Sequence, residues 1–526
     1  MINESLEQNT TSTSGTHLSF WIDSVERQSF TPLANDLDTD VLIIGAGISG
    51  LTAAYCLATA GRKVVVIDDG EIASGETGRT TAHIAKELDD FYFEIAKMHG
   101  EENAKLAAES QVDAMQFIAD VVAKESIGCE HEILDGYLFL HPTDEIKTLE
   151  EEYNASNKAG IESSFVDAIP GLAYEKGPAL RFPGQAQFHP LKYVTGLAKA
   201  ITALGNTIYT KTHATEIKEH EVVANGFRIT AKEVVVATNT PVNDRVTIHT
   251  KQHPYRTYVI AATIPKGTVQ HALWWDTGDR ESKWVNQPYT YARLQAYDET
   301  NDLLIVGGQD HKTGQHDEED LSQEERYRNL ENWAKLRFTA MQEVKYRWSG
   351  QVMEPVDLLP FLGLNPGDKH IYIITGDSGN GMTNGTLGGM LVSDLILGID
   401  TPYEKLYSPS RISLKATGDF LKEGANMAAQ YTDLIKPAKI KSAEELQPGQ
   451  GAVVGKGLNK VAAYKTEAGI VQTFSAVCPH LGCIVHWNDD ENSFDCPCHG
   501  SRFDCNGVVM NGPALSNLKP ISPPAK

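Results

Sequence analysis

Residues 40–70 read DVLIIGAGISGLTAAYCLATAGRKVVVIDDG. VLII is a short apolar run, as expected of a strand buried on both faces. Gly45, Gly47 and Gly50 follow in GxGxxG spacing. LTAAYCLATAG then carries small and apolar residues at helical spacing and stops at Gly61, and VVVI is a second buried strand ending at Asp68. Each part has a physical task. Gly45 permits the tight turn, Gly47 lets a pyrophosphate approach the backbone, and Gly50 lets helix and strand pack closely. The helix amino terminus offers unpaired N–H groups and a positive dipole end. Asp68, 23 residues after Gly45, is placed to accept hydrogen bonds from ribose hydroxyls. Strand, glycines, helix, strand and acid in register define a dinucleotide site. No second fingerprint is present: GKGLNK at 455–460 has only the first two glycines, so one dinucleotide is expected.

Outward from this stretch, 526 residues are enough for two or more domains with a large core. The net charge of −24 argues against nucleic acid as a partner, which needs a basic footprint, and against anionic lipid. Residues 440–526 carry seven Lys/Arg against eight Asp/Glu, so nearly all the acidity lies before them. No apolar run reaches transmembrane length. The start, MINESLEQNTTSTSGTHLSF, lacks the basic-then-apolar pattern of a signal peptide. Residues 1–37 read as a tail with a disordered tip. The expected compartment is the cytoplasm, where clustered cysteines suggest metal or redox work.

Four further stretches fall in a telling order: SGETGRTTAHI (74–84), THATEI (212–217), KEVVVATNTP (232–241) and IYIITGDSGNGMTNGTLGGMLVSDLILG (371–398). With the fingerprint, they resemble the D-amino-acid-oxidase-like flavoproteins, which include sarcosine, glycine and glutamylputrescine oxidases, over residues 38–405. The resemblance implies FAD and an α/β Rossmann-type domain with an antiparallel-sheet substrate region. It implies that Arg79, Thr80 and Thr81 run along the flavin, Ala214 lies beside the adenine, and Ala237 and Thr238 form a turn at the cofactor. It also implies that Gly376, Gly381, Met382 and Thr383 bring a helix start to the flavin pyrimidine, where a dipole end stabilises negative charge. The implied reaction is oxidation of a C–N bond in an amine or amino acid, with no catalytic base identified. His83 is either a covalent tether for the flavin or a helix-start residue near it; the second is the plainer reading. Residues 245–350 hold Tyr255, Tyr258, Trp274, Trp275, Trp284, Tyr289, Tyr291 and Trp348, mostly expected in core or sheet, some available to line a substrate cage.

Beyond residue 405 the composition shifts. Phe420, Leu421, Met427, Tyr431 and Leu434 fall on roughly one helical face, which reads as a linker helix within 406–437. After Pro437, short alternating runs punctuated by Gly, Asn and Pro predict a small all-β domain over 438–526. Within it, CPHLGC (478–483) faces CPCHGS (496–501). Such a CxH…CxxH set offers two thiolates and two imidazoles, which zinc also accepts. The full pattern resembles that of Rieske proteins, whose [2Fe–2S] cluster has two histidines in place of two cysteines on one iron. The resemblance implies that Cys478 and Cys496 hold the inner iron, that His480 and His499 hold the outer one, and that Cys483 and Cys498 form a disulfide between the loops. Cys505 has no place in that pattern, and Gly512-Pro513 resembles a third, shielding loop. Such clusters span roughly −150 to +300 mV. Ser501 matches a serine that donates to a bridging sulfur, and Phe503 stands where high-potential members carry a tyrosine, so a middle value is expected. The histidine edge is expected to be partly exposed, for handing single electrons to a partner.

The reading that unites both halves is an FAD-dependent oxidoreductase that passes electrons through the cluster to a redox partner: a quinone, a cytochrome or a ferredoxin. Any membrane contact would come only through that partner. Two alternatives stand beside it. One is a Rieske oxygenase, for which His311 and His316 have ligand spacing but Gly308 takes the usual acid's place. The other is a redox-sensing or electron-carrying module without a small-molecule substrate.

Overall fold

The computed structural model describes residues 15–173, 177–243, 246–315, 321–413, 415–434, 436, 438, 440, 442–455 and 460–521. Its first sheet has eight strands. The strand Leu37–Ile44 lies at its centre, parallel to Val64–Ile67 on one side and to Phe227–Val236 on the other. Thr207–Tyr209 and Ile371–Thr375 extend the parallel order outward. Val41 and Ile43 point into one apolar cluster, Leu42 and Ile44 into another, which is why VLII is apolar without alternation.

The helix Ile48–Thr59 packs against a second helix, Gly381–Leu397. The glycines of GTLGGM permit that approach. A Cβ on Gly389 would lie 2.6 Å from Thr52 Cβ, and one on Gly388 would lie 2.5 Å from Ile374 Cγ2. The closing segment is thereby locked onto the fingerprint helix.

A second sheet of nine strands is built mainly from 252–265, 291–296, 301–312 and 344–355, paired antiparallel, and continues into 132–139 and 179–187. Most of the aromatic residues of 245–350 are core. Tyr255, Tyr258, Trp274, Trp275, Trp284 and Trp348 are buried. Tyr289 and Tyr291 instead line cavities.

Residues 15–37, whose composition suggests a tail, carry the short helix Phe20–Ser24, with Trp21 fully buried and its indole donating to Thr80 O (2.6 Å). The expected disordered tip, 1–14, lies outside the described residues. The connecting helix spans Thr417–Gln430 and runs on through Tyr431–Leu434. Met427, Tyr431 and Leu434 pack against the last domain's core; the side chains of Phe420 and Leu421 lie outside the described set.

That last domain has a three-stranded sheet, 451–475, and a four-stranded one, 486–511. Its core holds Trp487, Phe494 and Phe503 together with Cys478, Cys483, Cys496 and Cys498. No helix among the described residues is long and apolar enough to cross a membrane.

Candidate functional site

A long cavity runs from the fingerprint to the start of the helix Gly381–Leu397. Gly45 has φ +110°, and a Cβ there would sit 2.4 Å from Ala237 O, so the turn needs glycine. In front of Gly47 the Thr77 side chain alone among the described residues lies within 4 Å, which leaves a cradle that any larger side chain would fill. Gly47 caps its helix without a side-chain bond, so the positive end faces the cavity. Asp68 accepts from Ala46 N (2.6 Å) and Gly70 N (2.8 Å), which fixes its carboxylate while each oxygen keeps a lone pair. At the other end Gly381 and Met382 begin a helix whose cap residue, Asn380, likewise makes no side-chain cap bond.

Eleven of the residues that the sequence assigns to the dinucleotide line this cavity: Gly45, Gly47, Asp68, Arg79, Thr80, Thr81, Ala214, Ala237, Thr238, Gly381 and Met382. Gly50, Gly376 and Thr383 do not line it. Gly50 abuts Gly45 O and Ile43, in its packing role. Gly376 has φ +78° and serves the turn after the strand Ile371–Thr375, and Thr383 is buried with its hydroxyl on Asn380 O. Arg79 reaches the cavity wall, but its guanidinium is bonded elsewhere, to Ser349 O (2.8 Å) and His17 O (3.0 Å).

His83 sits on a strand, not at a helix start. Its ring contacts Thr81 Oγ1 (3.1 Å) and Ala292 O (3.3 Å), and burial with the nearby Arg293 lowers its pKa to about 3. The ring is therefore neutral, with both nitrogens engaged. His311 is also fully used, by the Tyr258 hydroxyl and Lys312 O, while His316 lies outside the described residues.

The two cysteine loops share one backbone design. Cys478 N donates to Cys483 O and Gly482 N to Cys478 O; Cys496 N donates to Ser501 O and Gly500 N to Cys496 O. Gly482 (φ +83°) and Gly500 (φ +79°) take the left-handed turn that closes each loop. Cys483 and Cys498 are joined by a disulfide, Cα to Cα 6.4 Å. The sulfurs of Cys483, Cys496 and Cys498 lie close enough together to suggest a metal site of their own, but two of them are spent in the disulfide and cannot serve as thiolates. That leaves Cys478 and Cys496, both buried, facing His480 and His499, whose rings lie 4.9 Å apart. Two thiolates and two imidazoles suit a Rieske cluster. Ser501 Oγ accepts from Ala514 N (3.0 Å), tying the third loop to the second, and Phe503 is fully buried.

The histidine edge is partly exposed, as expected, only at His480, which is half-buried; His499 is covered. His499 is 4% exposed and lies under His249 of the oxidoreductase domain, ring centroids 5.7 Å apart; His480 is 4.9 Å from the same ring. Gln351 donates to Gly500 O (3.1 Å) and Gln315 to Pro497 O (3.3 Å), so the ligand loop is bonded to the larger domain. The cause lies in a buried ion network. Glu491, from the turn between two cluster-domain strands, accepts from Arg256 (2.8 Å), Arg79 (3.4 Å), Ser349 Oγ (2.5 Å) and Thr16 N (2.6 Å). Burial alone would raise the Glu491 carboxyl, but Arg79 and Arg256 outweigh it and hold it far below the usual range. Cluster-domain residues Val509–Gly512, Ala514 and Leu515 complete the wall of the dinucleotide cavity, a junction without a local sequence signal.

These two sites define an FAD-dependent oxidoreductase that carries a Rieske cluster. The family model for FAD-dependent oxidoreductases matches residues 40–395, and that for the Rieske [2Fe–2S] domain matches 436–522. The chain belongs to the DAO family of FAD-dependent oxidoreductases, with a carboxyl-terminal Rieske domain. A putative Rieske 2Fe-2S iron-sulfur protein of Bacillus subtilis, YhfW, is 30% identical over 95% of this chain and 97% of its own. The gamma-glutamylputrescine oxidoreductase of Escherichia coli is 28% identical over 70% of this chain and 86% of its own. Among solved structures, glycine oxidase from Geobacillus kaustophilus superposes with a TM-score of 0.59 at 19% identity, covering 71% of this chain and 99% of that one.

Gly47→Val should abolish flavin retention, because the new side chain fills the cradle. The flavin-to-protein absorbance ratio of the purified variant checks this. A stoichiometric ratio would show that the pyrophosphate does not cross Gly47.

Proposed function

We propose that this chain oxidises a C–N bond of a small amine or amino acid and delivers the electrons through its cluster to an external acceptor. The observation that carries the reading is the shared wall: the domain with the Cys2His2 set also closes the dinucleotide cavity and sets His499 against the oxidoreductase domain. When bound, the flavin accepts a hydride and the cluster accepts single electrons.

The chain's own residues divide the remaining work. Gly45, Gly47, Asp68, Ala214, Ala237 and Thr238 hold the dinucleotide, while Thr80 and Thr81 line its ring end. Gly381 and Met382 turn a positive helix end toward that ring end. Thr257 and Tyr291 wall the space beyond it. Cys478 and Cys496 hold one iron, His480 and His499 the other, and the Cys483–Cys498 disulfide braces the two loops. In this reading residues 38–405 form the oxidoreductase unit, 406–437 the connector and 438–526 the cluster unit. The compartment is the cytoplasm, and the acceptor is a quinone, a cytochrome or a ferredoxin.

The test is anaerobic mixing of the purified holoenzyme with a panel of amines and amino acids while the flavin and cluster bands are followed together. At least one compound is expected to bleach both. Bleaching by reduced partner proteins alone would favour a redox module without a substrate of its own.

A further inference from the structure

A second cavity adjoins the first beyond its ring end, and the two share Thr257, Tyr291, Val352 and Gly379 as walls. Its charge is one-sided. Asp89, Asp90, Asp310 and Glu354 line it, and among the described lining residues there is no Lys, Arg or His. Asp310 is only 7% exposed, and its Oδ1 has no hydrogen-bond partner. A buried, unsatisfied carboxylate oxygen facing a cavity costs free energy unless a donor arrives.

The other acids are held in place. Asp89 Oδ2 accepts from Tyr289 OH (3.2 Å) and Gly379 N (3.1 Å), and Glu354 accepts from Ser378 Oγ (2.6 Å). Burial pushes the Asp310 carboxyl up to about 7 and the Glu354 carboxyl, with the help of Asp89, up to about 8. Asp90 is raised as well, by burial and by Asp89. Among the described residues none of these acids has an ion-pair partner; Arg326 acts on Asp310 only from outside the cavity lining, and Thr257 partly offsets its burial. The rings of Tyr289 and Tyr291, 5.2 Å apart, add aromatic faces that attract ammonium groups.

Three ligand classes compete for such a site. A divalent cation needs several oxygens converging on one point. Among the described residues no three of these carboxylates bring oxygens within 4.8 Å of one another. An amino acid would bring its own carboxylate among four others, with no cation to receive it, since the nearby Arg79 is bonded to Glu491 and to backbone oxygens. An elongated amine with two positive centres matches acids that are spread along the walls.

We infer that the cavity bounded by Asp89, Asp90, Asp310 and Glu354 is the substrate pocket, and that it takes an aliphatic amine bearing a second cationic group and no carboxylate. This rests on the amine-oxidation reading and narrows it.

Three probes of one chain length test it: 1,4-diaminobutane, butylamine and 4-aminobutanoate. Each is titrated calorimetrically, without oxygen, into the dithionite-reduced holoenzyme, where no turnover follows. The diamine should bind at least about tenfold tighter than butylamine, and 4-aminobutanoate more weakly than either. Asp310→Asn should weaken diamine binding by about tenfold or more, and Glu354→Gln, at a half-buried position, serves if the first variant does not fold. The inference is overturned if 4-aminobutanoate binds as well as the diamine, if the diamine does not bind, or if both folded variants bind it unchanged. It is also overturned if calcium chloride alone displaces the diamine in an Asp310-dependent way. Bleaching of the oxidised flavin separates the two readings. Bleaching by amino acids but not by the diamine removes this inference and leaves amine or amino-acid oxidation standing. Diamine binding in the predicted order with no bleaching by any amine or amino acid removes the oxidation reading, and with it the substrate role, and leaves only the cavity's preference for a dicationic amine.

Discussion

Replacing Glu491 by alanine is expected to undock the cluster domain, at a cost of about 3–5 kcal/mol. The side chain is fully buried, and so are Arg79 and Arg256, which it neutralises. Removing the acid takes from two guanidinium groups, in a dry interface, the carboxylate that bonds to both. The native network is insensitive to pH near neutrality: because the folded-state pKa is held far below the free value, its stabilisation is fully present above the usual carboxylate range and is lost progressively as pH falls from that range to the depressed value. The variant should therefore differ from the native protein across the whole neutral range. Differential scanning calorimetry should show one transition in the native protein and an added, earlier one in the variant, with faster proteolysis in residues 406–437. An unchanged melting profile and cleavage pattern would mean that other contacts hold the domains together.

The second large effect is expected for Cys496→Ser. It removes one of the two thiols that the paired loops keep once Cys483 and Cys498 are joined, at a site buried in the domain core. Iron and acid-labile sulfide should fall to background, and the Rieske signal in reduced EPR spectra should vanish. Substrate should still bleach the flavin at close to the native rate, while turnover with a one-electron acceptor drops by at least about tenfold, equal to roughly 1.4 kcal/mol in the limiting barrier. Loss of flavin from the folded variant would show that the wall supplied by residues 509–515 depends on an intact cluster. Native turnover with the one-electron acceptor would remove the cluster from the route.

What was legible in the sequence is what is local. The fingerprint of residues 40–70 works because strand, turn and helix lie within one short stretch; Gly50 answers to a contact made within it and Gly45 to the end of the adjoining strand. The cysteine loops are legible for the same reason: each closes on itself through backbone bonds four and five residues apart. The rest depends on residues distant in the chain. Arg79 reads as a flavin contact from its motif, yet its charge answers to Glu491, 412 positions away. The cover over His499 comes from His249, on a short 3-10 turn with no recognisable spacing. The acidic cavity draws on residues 89, 90, 310 and 354, which no periodicity connects.

The cover that His249 forms over His480 and His499 changes the kind of device the cluster can be. A cluster on a swinging arm ferries charge, and its pace is set by diffusion of the arm between two docking places. Here the arm is pinned at the donor side by a buried carboxylate and by bonds to the ligand loop itself. On the proposed route, charge crosses a fixed gap, as along a wire, and the partner that collects it comes to the outer wall of the molecule.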